Sequence, residues 1–191
     1  MAKCLCYDVL MRYLAAILLL AAACANPPLS PLALAARTGR LDDIHTLIRQ
    51  GADPDLPSGR NGWTPLLHAI HKFRRSSVGA LLDAGADPNA RSTQGFTPLA
   101  MAAGYGDSET VRLLLAGGAS PRDPSALAAA VTGVSDIDKF TLGDCQTDTV
   151  QALLDAAPDL RLPDTTHGRW ALRLASLADC TEVVRAVAHR R

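Results

Sequence analysis

The feature that most constrains this chain is a recurrence at fixed spacing. Thr64-Pro65-Leu66 returns 33 residues later as Thr97-Pro98-Leu99, and Gly85-Ala86-Asp87-Pro88 has counterparts at Gly51-Ala52-Asp53-Pro54 and Gly118-Ala119-Ser120-Pro121. A period of this size marks a solenoid, in which one supersecondary unit stacks in a line. Each part of the unit has a reason to recur. Thr64 offers a capping hydroxyl, and Pro65 suits the first helical position, where a missing N–H costs nothing. Leu66, Ala69 and Ile70 then line one face of a short helix. A second helix carries Val78, Leu81 and Leu82 at helical spacing and stops at Gly85, which can take the left-handed conformation that ends a helix. Asp87-Pro88-Asn89 turns the chain toward the next unit. Neither helix is long enough to stand alone, so each needs the neighbouring unit as its second wall.

At these residues the sequence resembles the ankyrin repeat. TPLLHAI and TPLAMAA match the T-P-L-H-x-A-A pattern of that family, the GAD-P-N segments match its return turns, and the likeness covers nearly everything after residue 29. The expected fold is an all-α solenoid of about five helix-turn-helix units with short projecting turns. The first unit runs from Ser30 to Asp55, with Leu41, Ile44, Leu47 and Ile48 facing inward and Asp42, Asp43, His45 and Arg49 outward, as suits a cap. In the second, Phe73 stands where the family has glycine, followed by Arg74-Arg75. This suggests a changed turn or a displayed aromatic; alternatively the ring folds back onto the core. The third unit, Gly95 to Pro121, is the most regular. The fourth begins near Ser125 and carries an insertion between Thr132 and Cys145; its Asp136, Asp138 and Asp144 lack the glycine and terminal glutamate of a calcium loop, so a solvated, exposed loop is expected. The last unit starts at His167 and ends with Val183, Val184 and Val187.

Residues 1–25 are set apart from the repeats. Arg12 precedes the apolar run Leu14 to Ala23 and small residues follow it, the three-part pattern of a secretory signal peptide. The run is short for a bilayer span, and Asn26-Pro27-Pro28 interrupts any helix continuing into the domain. A cleaved leader over 1–25 and a repeat domain over 26–191 are expected, with Met11 as an alternative start to Met1. Leu20-Ala21-Ala22-Ala23-Cys24 resembles a bacterial lipobox, although Leu20 stands one place early, and ordinary cleavage after Ala23 or Ala25 competes with lipidation of Cys24. The product is then either a soluble periplasmic protein or a membrane-anchored lipoprotein. Cys4 and Cys6 fall in the leader, leaving Cys145 and Cys180 as a pair that an oxidising compartment could bridge. Both lie near the start of a second helix in consecutive units. Equivalent positions on helices about 8 to 10 Å apart are slightly too distant for a disulfide unless the loop before Cys145 closes the gap. A bridge and two free thiols both stay open.

The charges narrow the function. Lys plus Arg number 19 against 19 Asp plus Glu, and the pI is 6.9, so no electrostatic footprint for nucleic acid is expected. His68 and His71 share a helix side but have no third ligand at a useful interval, so no metal is expected. No nucleophile elbow, phosphate loop or zinc-protease motif is present, so neither catalysis nor a cofactor is expected. The resemblance implies instead a monomeric module that binds another protein. In that family the residues before Thr-Pro-Leu form projecting turns, and those ending the first helix line the concave side. Carried over by position, the projecting set is Arg60, Asn61, Trp63, Thr93, Gln94 and Phe96, and the concave set is Arg37, His71, Lys72 and Tyr105. Aromatics are 4% of the chain, yet several fall at these positions, and aromatic and arginine side chains are the usual interface anchors. On this reading Trp63, Phe96 and Tyr105 can each be truncated with loss of a partner and little loss of thermal stability. The short leader and Ala-Leu-Arg-rich style resemble exported proteins of Gram-negative bacteria, which implies an envelope role: a general binding module, an immunity-type inhibitor of a secreted toxic enzyme, or an accessory factor in oxidative stress.

Overall fold

The computed structural model describes residues 28–133, 145–162 and 166–188. The leader, its boundary, Cys24 and the insertion carboxylates Asp136, Asp138 and Asp144 lie outside those residues. Among the described residues the chain forms ten helices in five pairs: α1 Pro31–Thr38 with α2 Leu41–Arg49, α3 Pro65–His71 with α4 Arg75–Asp83, α5 Pro98–Gly104 with α6 Ser108–Ala116, α7 Pro124–Thr132 with α8 Thr147–Ala156, and α9 Thr166–Leu177 with α10 Thr181–Ala188. The first helices stack on one another in one layer and the second helices in another. Packing between units is closer in the first-helix layer, so the stack curves around it and that layer is the inner one.

The recurring signals do the work their chemistry allows. The hydroxyls of Ser30, Thr64 and Thr97 accept from the N–H groups of Ala33, Leu67 and Ala100, and a proline follows each cap. The fourth unit differs. Its helix begins at Pro124, ahead of Ser125, because Asp123 takes the capping role: its carboxylate accepts from the N–H and hydroxyl of Ser125 and from the Thr97 hydroxyl of the preceding unit. The core runs the length of the stack, through Leu66, Leu81, Leu99, Leu114, Leu127 and Leu153, all buried. Burying such side chains against the neighbouring unit contributes about 1.5–3 kcal/mol each, which the lone helix pair could not gain. At the return turns, Asp53 and Asp87 accept from the backbone N–H two residues on, while Asp55 accepts from the N–H of Asp87 and Asn89 from that of Ser120, tying each unit to the next.

The turn between paired helices settles the two readings of Phe73. In the first unit Gly39 has φ 80°, and the N–H groups of Gly39 and Arg40 reach back to the carbonyl of Ala35. Phe73 has φ 55° and stands in the same kind of turn, with the N–H of Phe73 on Ile70 and that of Arg74 on Ala69. The turn is therefore kept, and phenylalanine bears the strain of the left-handed conformation. Asp179, at φ 58°, holds the same position in the last unit, and what lies above the turns of the first three units explains why Phe73 has room where Gly39 and Gly106 do not. A Cβ on Gly39 would sit 3.2 Å from the Arg74 side chain, and one on Gly106 3.2 Å from that of Gln146. Arg74 donates there to the Arg37 carbonyl and Gln146 to the Gly104 carbonyl. The corresponding residue over Phe73 is Asp107, whose carboxylate is turned instead to the N–H of Thr110 and to Arg75. Phe73→Gly is expected to change the thermal midpoint little, since relief of about 1 kcal/mol of backbone strain offsets the lost contact of its ring with Tyr105. A drop of several degrees in a thermal melt would show the ring to be a core residue.

Cys145 and Cys180 are joined in a disulfide, with Cα atoms 5.2 Å apart. The spacing problem of equivalent helix positions does not arise, because both residues stand in the turns ahead of α8 and α10 rather than within them.

Candidate protein-binding face

Two projecting turns lead into α3 and α5. In the first, the Ser58 N–H donates to the Trp63 carbonyl; in the second, the Ser92 N–H donates to the Phe96 carbonyl while the Ser92 hydroxyl accepts from the N–H groups of Gln94 and Phe96. The turns are tied together where the Thr93 hydroxyl donates to the Asn61 carbonyl at 2.7 Å. Beside that bond the Thr93 methyl carbon lies 2.5 Å from where a Cβ on Gly62 would stand, so only glycine fits, at φ 57°.

Behind the turns a row of rings crosses the inner layer. Trp63 meets His68 and His71 edge-on at centroid distances of 5.4 and 4.9 Å. The Nδ1 of His71 is 2.7 Å from the Tyr105 hydroxyl, and the Tyr105 ring lies 5.3 Å from that of Phe73. The row joins the second unit to the third and surfaces at Phe73, which is exposed.

This geometry corrects part of the expected surface. Trp63, His71 and Tyr105 are 8%, 6% and 3% exposed, so Trp63 does not project, and His71 and Tyr105 leave almost no side chain on the concave side. The physical reason is the indole's size: instead of standing out from its turn it lies back along α3, covering His68 and His71. Truncating Trp63 or Tyr105 therefore removes core, and the expectation that the melt would be unchanged does not hold for them. Phe96, by contrast, is 46% exposed, and Arg60, Thr93 and Gln94 are exposed beside it, with Asn61, Arg37 and Lys72 half-buried. Phe73, at 40%, belongs with this exposed group although the sequence alone left it open. Its signal was available as a bulky residue at a glycine position.

Among the described residues no group of three or more His, Cys, Asp or Glu side chains could hold a metal ion, and no helix is long and apolar enough to cross a membrane. His68 is a buried packing residue. Burial pushes its imidazole down to about 4, with the Arg37 and His71 charges acting the same way and the Ser58 carbonyl, 3.4 Å from Nε2, opposing them. The unfolded group titrates near about 6.5, so between those values the unfolded chain binds more protons and stability rises with pH. The contribution of neutral His68 is complete above about 6.5 and is lost as pH falls through that window. A thermal melt series from pH 7 to pH 4 is expected to fall less steeply for His68→Gln; identical slopes would contradict it.

The sequence profile described as "Ankyrin repeats (3 copies)" matches residues 10–92 and 32–125. The chain belongs to the ankyrin-repeat family. It is 35% identical over 106 residues to a putative ankyrin repeat-containing protein of Treponema pallidum, covering 56% of this chain and 36% of that one. It is 39% identical over 87 residues to the mouse ankyrin repeat and SAM domain-containing protein 6, covering 44% of this chain and 10% of that one. The match thus spans 36% of the Treponema protein and 10% of the mouse one, and the relatives' whole activities do not transfer. The human ASB11 ankyrin repeat domain superposes with a TM-score of 0.64 at 26% identity, over 84% of this chain and 69% of that one. Ankyrin arrays are protein-interaction modules in general and are typically not catalytic in themselves.

Proposed function

We propose that this ankyrin array binds a protein partner on its inner layer and projecting turns, around Phe73 and Phe96, and performs no catalysis. The observation that supports it most is Phe73. A strained, partly exposed aromatic at a turn where the first and third units carry glycine points to a role beyond folding. Phe96 on the projecting turn ahead of α5 is a second exposed ring, with Arg60, Thr93 and Gln94 exposed on the projecting turns and Lys72 next to Phe73 in sequence. The leader pattern supports export to the periplasm; lipidation of Cys24 would place the array on the membrane instead. Within the envelope the partner would be a secreted toxic enzyme held inactive, or a component of oxidative-stress defence. An affinity enrichment from the envelope fraction, with Phe73→Gly plus Phe96→Ala as control, tests the proposal. Capture of one stoichiometric protein, rebinding after purification with a dissociation constant raised about tenfold or more in the double variant, is the expected result. Equal affinity for both forms would rule this surface out.

A further inference from the structure

The two projecting turns place the same ring position differently. Trp63 and Phe96 stand 33 residues apart, each closing a turn whose first N–H, from Ser58 or Ser92, donates to its carbonyl. Phe96 is 46% exposed and Trp63 only 8%. One period apart again, α5 carries Met101 where α3 carries His68, and both are buried. A thioether can be buried without a hydrogen-bond partner, whereas each nitrogen of an imidazole needs one.

The turn over His68 is also the less well satisfied of the two. In the second turn the Ser92 hydroxyl accepts from Gln94 and Phe96. In the first, the Ser58 hydroxyl, the Trp63 indole N–H and His68 Nδ1 are all buried with no hydrogen-bond partner. His68 Nε2 lies 3.4 Å from the Ser58 carbonyl, which can only accept, so the neutral ring carries its proton there and Nδ1 keeps a lone pair. The turn bends at Gly59 and Gly62, with φ 73° and 57°, and is tied to the next by the Thr93 hydroxyl on the Asn61 carbonyl.

We propose that turn 58–63 is an acid-opened flap: a proton added at His68 Nδ1 enters a buried site with no acceptor, so the turn swings off α3 with Trp63, breaks the Thr93–Asn61 bond and lets water reach the imidazolium. The exposed position of Phe96 is the position Trp63 then takes. The surrounding charges act in the same direction. Arg37 of α1 and His71 of α3 both oppose the imidazolium. The turn brings Arg60, α5 brings no charge, Tyr105 after it meets His71, and α4 brings Arg75, turned to Asp107, and Asp83, which is exposed. No carboxylate stands in α1, α3, α5 or the turn. Burial, with those cations, holds the closed imidazole down to about 4, against about 6.5 once exposed. Between those values the open form binds more protons, so the open-to-closed ratio rises about tenfold for each unit the pH falls.

Hydrogen exchange of the isotope-labelled full chain, followed by NMR, tests this without a partner, so its failure leaves the proposed binding surface standing. As the pH is lowered from 7, protection of the Trp63 indole N–H and the Ser58 amide should fall about tenfold per unit below about 6.5. Low urea should leave that loss unchanged, because a local opening exposes little surface, while the amide of Leu81 in α4 reports global unfolding. His68→Gln should abolish the pH dependence. Protection that falls only together with that of Leu81, and shrinks further in urea, would mean global unfolding and overturn the flap. Protection independent of pH, or an equal dependence in His68→Gln, would overturn it as well. If His68→Gln does not fold, the urea dependence of the wild type decides.

Discussion

Replacing Cys180 by serine is expected to lower stability by about 4 kcal/mol, with the loss concentrated in the last unit. The bridge to Cys145 closes a loop of sequence separation 35, and the chain-entropy relation assigns about that value to a loop of this length. The position makes the effect local. Helices α9 and α10 pack on α7 and α8, and this disulfide ties them covalently to that unit. Thermal melts with and without reductant are the measurement. Wild type should fall on reduction to the level of Cys180→Ser, Cys145→Ser should match it, and the double variant should be no worse than either. A melt indifferent to reductant would mean that the disulfide contributes nothing to the fold.

Tyr105→Ala is expected to cost about 3–5 kcal/mol, the range for deleting a large aromatic from a core. The side chain is 3% exposed, meets Phe73, and carries the hydroxyl that His71 Nδ1 approaches at 2.7 Å. Tyr105→Phe separates the two parts: it keeps the ring and removes the hydroxyl, so it should cost only about 1 kcal/mol. Chemical denaturation of the three proteins distinguishes the outcomes. A wild-type melt for Tyr105→Ala would contradict the buried ring row and restore Tyr105 to the exposed surface.

The fold was legible because its signals are local. Thr64-Pro65 and Thr97-Pro98 fix helix starts, Gly51 and Gly85 fix helix ends, and each acts through backbone groups within one turn. What could not be read depends on neighbours in space. Trp63 precedes a helix in a turn that projects, and only the folded structure shows its indole lying back over His68 and His71 of α3. Phe73 was left between two readings, since whether a side chain fits over the turn depends on Asp107, in the next unit, turning toward Arg75. Gln146 and Arg74 were missed as covers of Gly106 and Gly39 for the same reason: a residue's reach across a unit boundary has no sequence spacing to announce it.

Photo-crosslinking from single positions tests the central claim most directly. A photoreactive phenylalanine placed at Phe96 or Phe73 on the inner side, and at Arg112 on the outer helix α6, would be irradiated in the envelope fraction and the adducts identified by mass spectrometry. The same single partner attached from positions 96 and 73, and not from 112, is the predicted result. Attachment from 112 alone, or from none of the three, would contradict docking on the inner face.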